Sequence, residues 1–177
     1  MIFRIGLLFL LLLSACSTGI PAKVEVVKGF QLDRYLGTWY EIARLDHSFE
    51  RGLDQVTADY SLREDGGVRV LNRGYKSEGE RWSEAEGKAY FVGEPDVGSL
   101  KVSFFGPFYG GYNIIELDKT DYRYSLVAGP DRGYLWILAR TPDLDPTTRD
   151  RLVSVARDLD FPVDELIFVE HDRQPGS

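Results

Sequence analysis

The 177-residue chain holds one cysteine and two histidines. A lone cysteine closes no internal disulfide, so a fold in an oxidising compartment must rest on packing. His47 and His171 lie far apart, and no spacing of His, Cys or carboxylate residues reads as a metal site. Both histidines are read as surface residues. Basic residues are outnumbered, with 21 Lys+Arg against 28 Asp+Glu and a net charge of -7. An acidic surface repels phosphate backbones, which excludes nucleic acid as the expected partner. No nucleophile elbow, Ser-His-Asp order or phosphate-cradling glycine loop is present. The glycines of "YGGYN" open a strand, not a helix, and Glu84 and Glu86 read as a solvated or rim face. The sequence therefore points away from an enzyme, and no cofactor or metal is expected.

Long apolar runs are also missing. A membrane-spanning helix needs roughly 20 apolar residues, and the run over residues 5–13 falls short. With Arg4 before it and Ser14-Ala15 after it, the run has the three parts of a secretory signal peptide. Leu13-Ser14-Ala15-Cys16 resembles the lipobox of bacterial lipoproteins, where the peptidase cuts before the cysteine and the thiol carries lipid. The resemblance implies a signal peptide over residues 1–15 and makes Cys16 a membrane anchor. Two or more acyl chains give stable attachment, where one gives only marginal binding. Enterobacterial lipoproteins retained at the inner membrane favour aspartate at the next position. Ser17 stands there instead, which implies an outer-membrane address facing the periplasm.

Residues 16–29 read as a lipidated N-terminus and tether, and residues 30–177 as one domain, long enough for a real core. From Phe30 onward short strand-like runs recur between turn residues: "WYEIARL", "QVTADYSLRE", "VRVLNRGYK", "SEAEGKAYFVG", "SLKVSFFG", "YNIIELD", "YRYSLVAG" and "GYLWILAR". The "DGG" after the second is a strong hairpin signal. Even spacing of short strands predicts an antiparallel sandwich or barrel, not alternating β and α units. One helix is predicted, capped by Asp145 with Pro146 in its first turn. Leu152, Val155, Ala156 and Leu159 fall on one face, the mark of a helix packed outside a sheet. A final strand, "ELIFVEH", follows.

"GTWYEIAR" opens the first strand, "TDYRYSLV" contains the seventh, and Arg140 ends the eighth. Together they resemble the three signature regions of the lipocalin family: Gly-x-Trp (Gly37, Trp39), Thr-Asp-Tyr (Thr120, Asp121, Tyr122) and a late arginine (Arg140). The likeness is strongest to bacterial outer-membrane lipoprotein lipocalins and to apolipoprotein D. It implies an all-β fold, an eight-stranded up-and-down antiparallel barrel with one C-terminal helix packed outside. Trp39 would close the barrel's bottom, with Arg140 across its face in a cation–π contact of ~0.5–2 kcal/mol. Gly37 would let the entry segment turn tightly beneath it. These residues are expected to be scaffold.

A barrel of eight strands holds one small ligand, and side chains alternate in and out. With Trp39 inward, Glu41 and Ala43 share its side. The family resemblance then aligns inward Ala58, Tyr60 and Leu62; Val68, Val70 and Asn72; and Ala85, Gly87 and Ala89. It continues with Leu100, Val102 and Phe104, then Tyr112 and Ile114, Ser125 and Val127, and Trp136 and Leu138. The expected ligand-binding set is Ala58, Tyr60, Asn72, Val102, Phe104, Tyr112, Ile114, Trp136 and Leu138. The small residues of the fourth strand would leave volume unfilled. This lining suits an acyl chain with a modest polar head. Burying ten methylenes at ~0.8 kcal/mol each gives roughly 8 kcal/mol before association costs, consistent with micromolar binding. Phe105, Phe108 and Tyr109 concentrate near a loop, either as cover for a barrel end or as a rim meeting lipid, membrane or a second copy. A homodimer stays open.

The expected partners are thus a fatty acid or lysophospholipid and, through Cys16, a membrane. The expected role is lipid storage, transport or envelope maintenance. Two alternatives stand beside it. One is an envelope enzyme acting on a lipid or isoprenoid, with Glu41 or Tyr112 essential. The other is a structural lipoprotein with a filled barrel and a protein partner.

Overall fold

The computed structural model describes residues 18–173, so the signal peptide and Cys16 lie outside the described residues. All eight strand-like runs form strands: β1 (Gly37–Arg44), β2 (Leu53–Leu62), β3 (Val68–Lys76), β4 (Arg81–Phe91), β5 (Ser99–Phe105), β6 (Phe108–Leu117), β7 (Tyr124–Ala128) and β8 (Leu135–Ala139). Each pairs antiparallel with its sequence neighbours, and β1 pairs with both β2 and β8, so the sheet closes on itself. Closure leaves no long free edge. The last expected strand is shorter than its sequence predicts. Glu165 ends a 3-10 turn (Val163–Glu165), and only β9 (Ile167–Phe168) pairs. β9 joins Ala43 and Arg44 of β1, on the stretch beyond Tyr40, the last β1 residue that β2 pairs with. There β2 is bulged between Asp54 and Thr57, with Gln55 at φ 56°.

Two apolar cores lie on opposite faces of this sheet. Outside, α2 (Pro146–Asp158) buries Leu152 and Ala156 against Ile42, Leu126, Leu135 and Ile137. The capping is as the sequence predicts: Asp145 accepts a hydrogen bond from Thr148 N at 2.9 Å, and Pro146 begins the helix. Inside, Trp39, Tyr60, Val68, Val70, Leu100, Val127 and Leu138 pack together.

The phase along β1 departs from strict alternation. A bulge between Glu41 and Ala43 opposite β8 turns Ala43 outward into the helix-covered core. Arg44, paired with Trp136, takes the inward place expected of Ala43. Leu62 also departs from expectation at 56% exposed, because β2 runs on past Gly37, the first residue of β1.

One helix was not legible. α1 (Leu32–Tyr35) precedes β1 and buries Tyr35 beneath the barrel. Four residues carry too little periodicity to reveal it. The stretch expected as a tether is, from residue 18 on, a packed strap. Val27 N donates to Ile114 O at 2.9 Å, Gly98 N donates to Val27 O at 2.9 Å, and Val24 is buried in the outer core.

The closed end is tied by one arginine. The Arg140 guanidinium carbon sits 4.0 Å from the Trp39 ring centroid. Its three nitrogens donate to Tyr122 O (3.2 Å), Thr38 O (3.0 Å) and Arg34 O (2.8 Å). Gly37 has φ 89°, and a Cβ there would lie 3.6 Å from Arg140 Nη1. Trp39 is fully buried and donates to Tyr35 O at 2.8 Å. Thr120 and Asp121 occupy an exposed turn. The side chain organising that turn is Asp118, whose carboxylate accepts from the backbone N–H groups of Thr120, Asp121 and Arg123 and from Arg123 Nε at 2.8 Å.

Replacing Arg140 by Ala uncovers Trp39 and leaves three carbonyls without their donor. The expected loss is about 2–4 kcal/mol in urea unfolding. Arg140→Lys keeps charge but not the fork, so it should fall between Ala and the parent; equal stability of all three chains would show that this contact ties nothing.

Candidate functional site

Above the closed end the barrel holds a cavity of about 710 Å³, within the range of small-molecule sites. It opens where the β1–β2, β3–β4, β5–β6 and β7–β8 turns meet. Of the expected binding set, Ala58, Tyr60, Asn72, Val102, Phe104, Tyr112, Trp136 and Leu138 line it. Ile114 does not. It is fully buried in the inner core beside Gly98, and its carbonyl accepts from Val27 N of the strap. Of the small β4 residues, Ala85 and Ala89 border the cavity. The space at Gly87 is taken: a Cβ there would lie 2.8 Å from the Phe104 ring and from Ser103 O.

The floor is a chain of hydroxyls. Tyr35 Oη lies 2.8 Å from Tyr112 Oη and 3.0 Å from Ser125 Oγ, and Tyr112 Oη lies 2.9 Å from Tyr60 Oη. Burial pushes the Tyr35 phenol up to about 12 and holds Tyr60 and Tyr112 well above their usual range. All three stay neutral and satisfy one another. Higher up, Asn72 presents a buried Oδ1 with no hydrogen-bond partner.

A charged cluster that the sequence did not reveal forms one wall. The β1 bulge brings Arg44 inward, where its Nη1 donates to Glu41 Oε1 at 2.7 Å. Its Nη2 donates to Glu50 O (3.0 Å) and Leu53 O (2.9 Å). Trp136 Nε1 donates to Glu50 Oε2 at 3.0 Å, and His47 Nε2 lies 2.9 Å from the same oxygen. His47, expected at the surface, is buried, stacked on Phe49 at 3.9 Å between centroids. His171, also expected at the surface, is partly buried and meets Glu41 O at 2.8 Å through Nε2. Loop residues such as His47 and Glu50 carry no periodicity that would have placed them.

Two buried carboxyl groups here face one guanidinium. Burial first, then the Glu50 charge, pushes the Glu41 carboxyl well above its usual range against the pull of Arg44. Of the two, Glu41 is the carboxyl whose neutral form burial favours. Among the described residues no group of His, Cys, Asp and Glu is arranged to hold a metal ion.

A closed antiparallel barrel, plugged below and open above onto an apolar cavity, defines a class of ligand-holding cups. The comparisons agree with the fold and the motifs. The family model of the lipocalin-like domain matches residues 30–171. The chain is 57% identical over 167 residues to the outer membrane lipoprotein Blc of Citrobacter freundii, covering 94% of this chain and 92% of that one. It is 32% identical over 149 residues to apolipoprotein D of Rattus norvegicus, covering 77% and 75%. Among solved structures, the cockroach allergen Per a 4 superposes with a TM-score of 0.66 at 23% identity, over 88% of this chain and 96% of the other. The chain belongs to the lipocalin family. Its bacterial relatives give it the address read from its first residues, that of a lipid-anchored protein of the outer membrane.

The upward shift of Glu41 has a measurable consequence. Its folded pKa lies above the unfolded one, so the stability it contributes is full below pH about 4.5 and declines as pH rises toward the folded value. Glu41→Gln mimics the protonated form at every pH. Its urea midpoint should gain steadily on that of the parent chain between pH 4.5 and neutrality. A difference that does not change with pH would show that Glu41 is ionised in the fold.

Proposed function

We propose that this lipocalin carries a fatty acid or lysophospholipid, with the acyl tail in the barrel and the head toward the mouth, for lipid storage, transport or maintenance of the envelope. The observation that carries the reading is the cavity itself, about 710 Å³ lined mainly by Ala58, Val68, Val70, Ala89, Leu100, Val102 and Leu138. A filled barrel would leave no such space. The tyrosine hydroxyls of the floor are bonded to one another, so the depth of the cup favours a methyl-ended tail over a charged head. Glu41, Glu50, Glu84 and Asp131 line the mouth and walls; Arg44 pairs with Glu41 and Arg73 with Glu84, which leaves Glu50 and Asp131 without an arginine partner. That balance repels an ionised fatty carboxylate and favours a zwitterionic head, so lysophospholipid is the better match of the two. Glu41 is held by Arg44, and Tyr112 by its tyrosine neighbours, which supports holding a ligand over transforming it. Cys16 would carry the lipid anchor, with the domain on the periplasmic side.

Native mass spectrometry of the domain from Ser17 onward, purified without detergent, tests the carrier reading. A co-purifying lysophospholipid or fatty acid at one per barrel or per dimer is expected, with its mass unchanged on incubation. Ala85→Trp adds bulk at an exposed position that borders the cavity, and should lower affinity for a lysophospholipid by about tenfold or more, the loss of about 1.4 kcal/mol. An empty parent barrel that ignores added acyl chains would overturn the reading.

A further inference from the structure

The end of the barrel from which the N-terminal strap emerges decides which face of the protein meets lipid. The strap runs along the outside of the barrel toward α1 at the closed end, so its earlier residues lie toward the mouth. Gly19 O accepts a hydrogen bond from Asn113 Nδ2 at 3.0 Å, and the same nitrogen donates to Gly129 O at 3.2 Å. A Cβ on Gly111 would lie 2.9 Å from Gly19 O. Gly19 is therefore fixed at the level of Gly111, in the half of β6 nearer the mouth. Three residues separate Gly111 from Phe108 at the rim, about 10 Å of strand. Three residues also separate Gly19 from Cys16, a reach of at most about 11 Å. From Gly111 to Leu117 at the closed end is about 20 Å of strand, beyond that reach. An anchor on Cys16 can therefore reach the rim and cannot reach the floor.

The rim it reaches is apolar. Phe105 is 78% exposed, Phe108 62% and Phe49 54%. Phe105 and Phe108 pair across the Gly106-Pro107 turn, so the tip of this hairpin carries no charge. Phe49 stands on the β1–β2 loop and, like the other two, borders the cavity. Exposed large apolar groups clustered at one end mark an interaction surface.

We propose that the open end of the barrel docks on the bilayer surface, with Phe49, Phe105 and Phe108 among the acyl chains, so that lipid passes between bilayer and cavity without crossing water. A lipid surface is the occupant, not a second copy, because the anchor can reach this end and not the other. The proposal rests on acylation of Cys16, and the experiment reads that separately.

Full-length protein, purified from membranes and reconstituted into vesicles of phosphatidylethanolamine and phosphatidylglycerol, is weighed by mass spectrometry to read its acyl chains. Single spin labels are placed at Ser48→Cys and Gly106→Cys on the rim and at Glu64→Cys beside the closed end. In acylated protein, the ratio of oxygen to water-soluble nickel accessibility should rise several-fold at the two rim sites and stay unchanged at residue 64. Acylated protein with a nickel-accessible rim overturns the proposal alone, as does a rise at residue 64. Rim labels shielded from both reagents and broadened by one another mean that a second copy covers the rim, which also overturns it. A mass without acyl chains overturns the anchor and the proposal together.

Discussion

The stacking of Arg140 on Trp39 is the constraint on which the rest of the barrel depends. A ring of strands has two mouths, and a cup needs one of them shut. Trp39 shuts it, but an indole alone leaves its outer face to water. The Arg140 guanidinium covers that face and fastens the carbonyls of Arg34, Thr38 and Tyr122. Those carbonyls belong to α1, β1 and the turn before β7, so one side chain joins the chain's entry into the barrel to a turn more than eighty residues later. The floor built above this plug, with Tyr35 hydrogen-bonded to Tyr112 and Ser125, can then be polar without admitting solvent.

The cavity wall follows a different rule. Its charged groups are buried, and each is bonded inside the cluster. Arg44 serves Glu41 and two backbone carbonyls, Trp136 serves Glu50, and burial favours the neutral form of Glu41, which lessens the surplus negative charge. Buried charge is tolerable when paired and hydrogen-bonded. The cluster arises because one bulge in β1 turns Arg44 toward the interior and Ala43 toward the helix.

That bulge also marks where sequence reading stops. On β3 and β4 the ladder is regular from Val68 to Lys76, so Val68, Val70 and Asn72 fall where alternation puts them. Gly37, Trp39 and Arg140 were legible because their motifs have a fixed order. The fate of Ala43 was not, since an inserted residue reverses phase without a compositional signal. Ile114 lies on the inner face as expected, yet it is fully buried beside Gly98 and does not line the cavity, a tertiary contact that no periodicity encodes. Tyr35, His47 and Glu50 sit on a one-turn helix and a loop, where pattern carries nothing. Thr120 and Asp121 were legible only as part of a signature, and the carboxylate that shapes their turn, Asp118, precedes the motif.

The seam of the barrel has a bearing on how the chain is made. Glu41 of β1 lies opposite Leu138 of β8, so the first strand waits for the last before it finds half its partners. Contacts this remote in sequence form late and slowly. Until then the newly exported chain exposes one unpaired edge of β1, with no disulfide to hold the remainder in register. The time between export and closure is thus when this protein is most exposed to proteases and to wrong pairings, and when an escort in the envelope would serve it best.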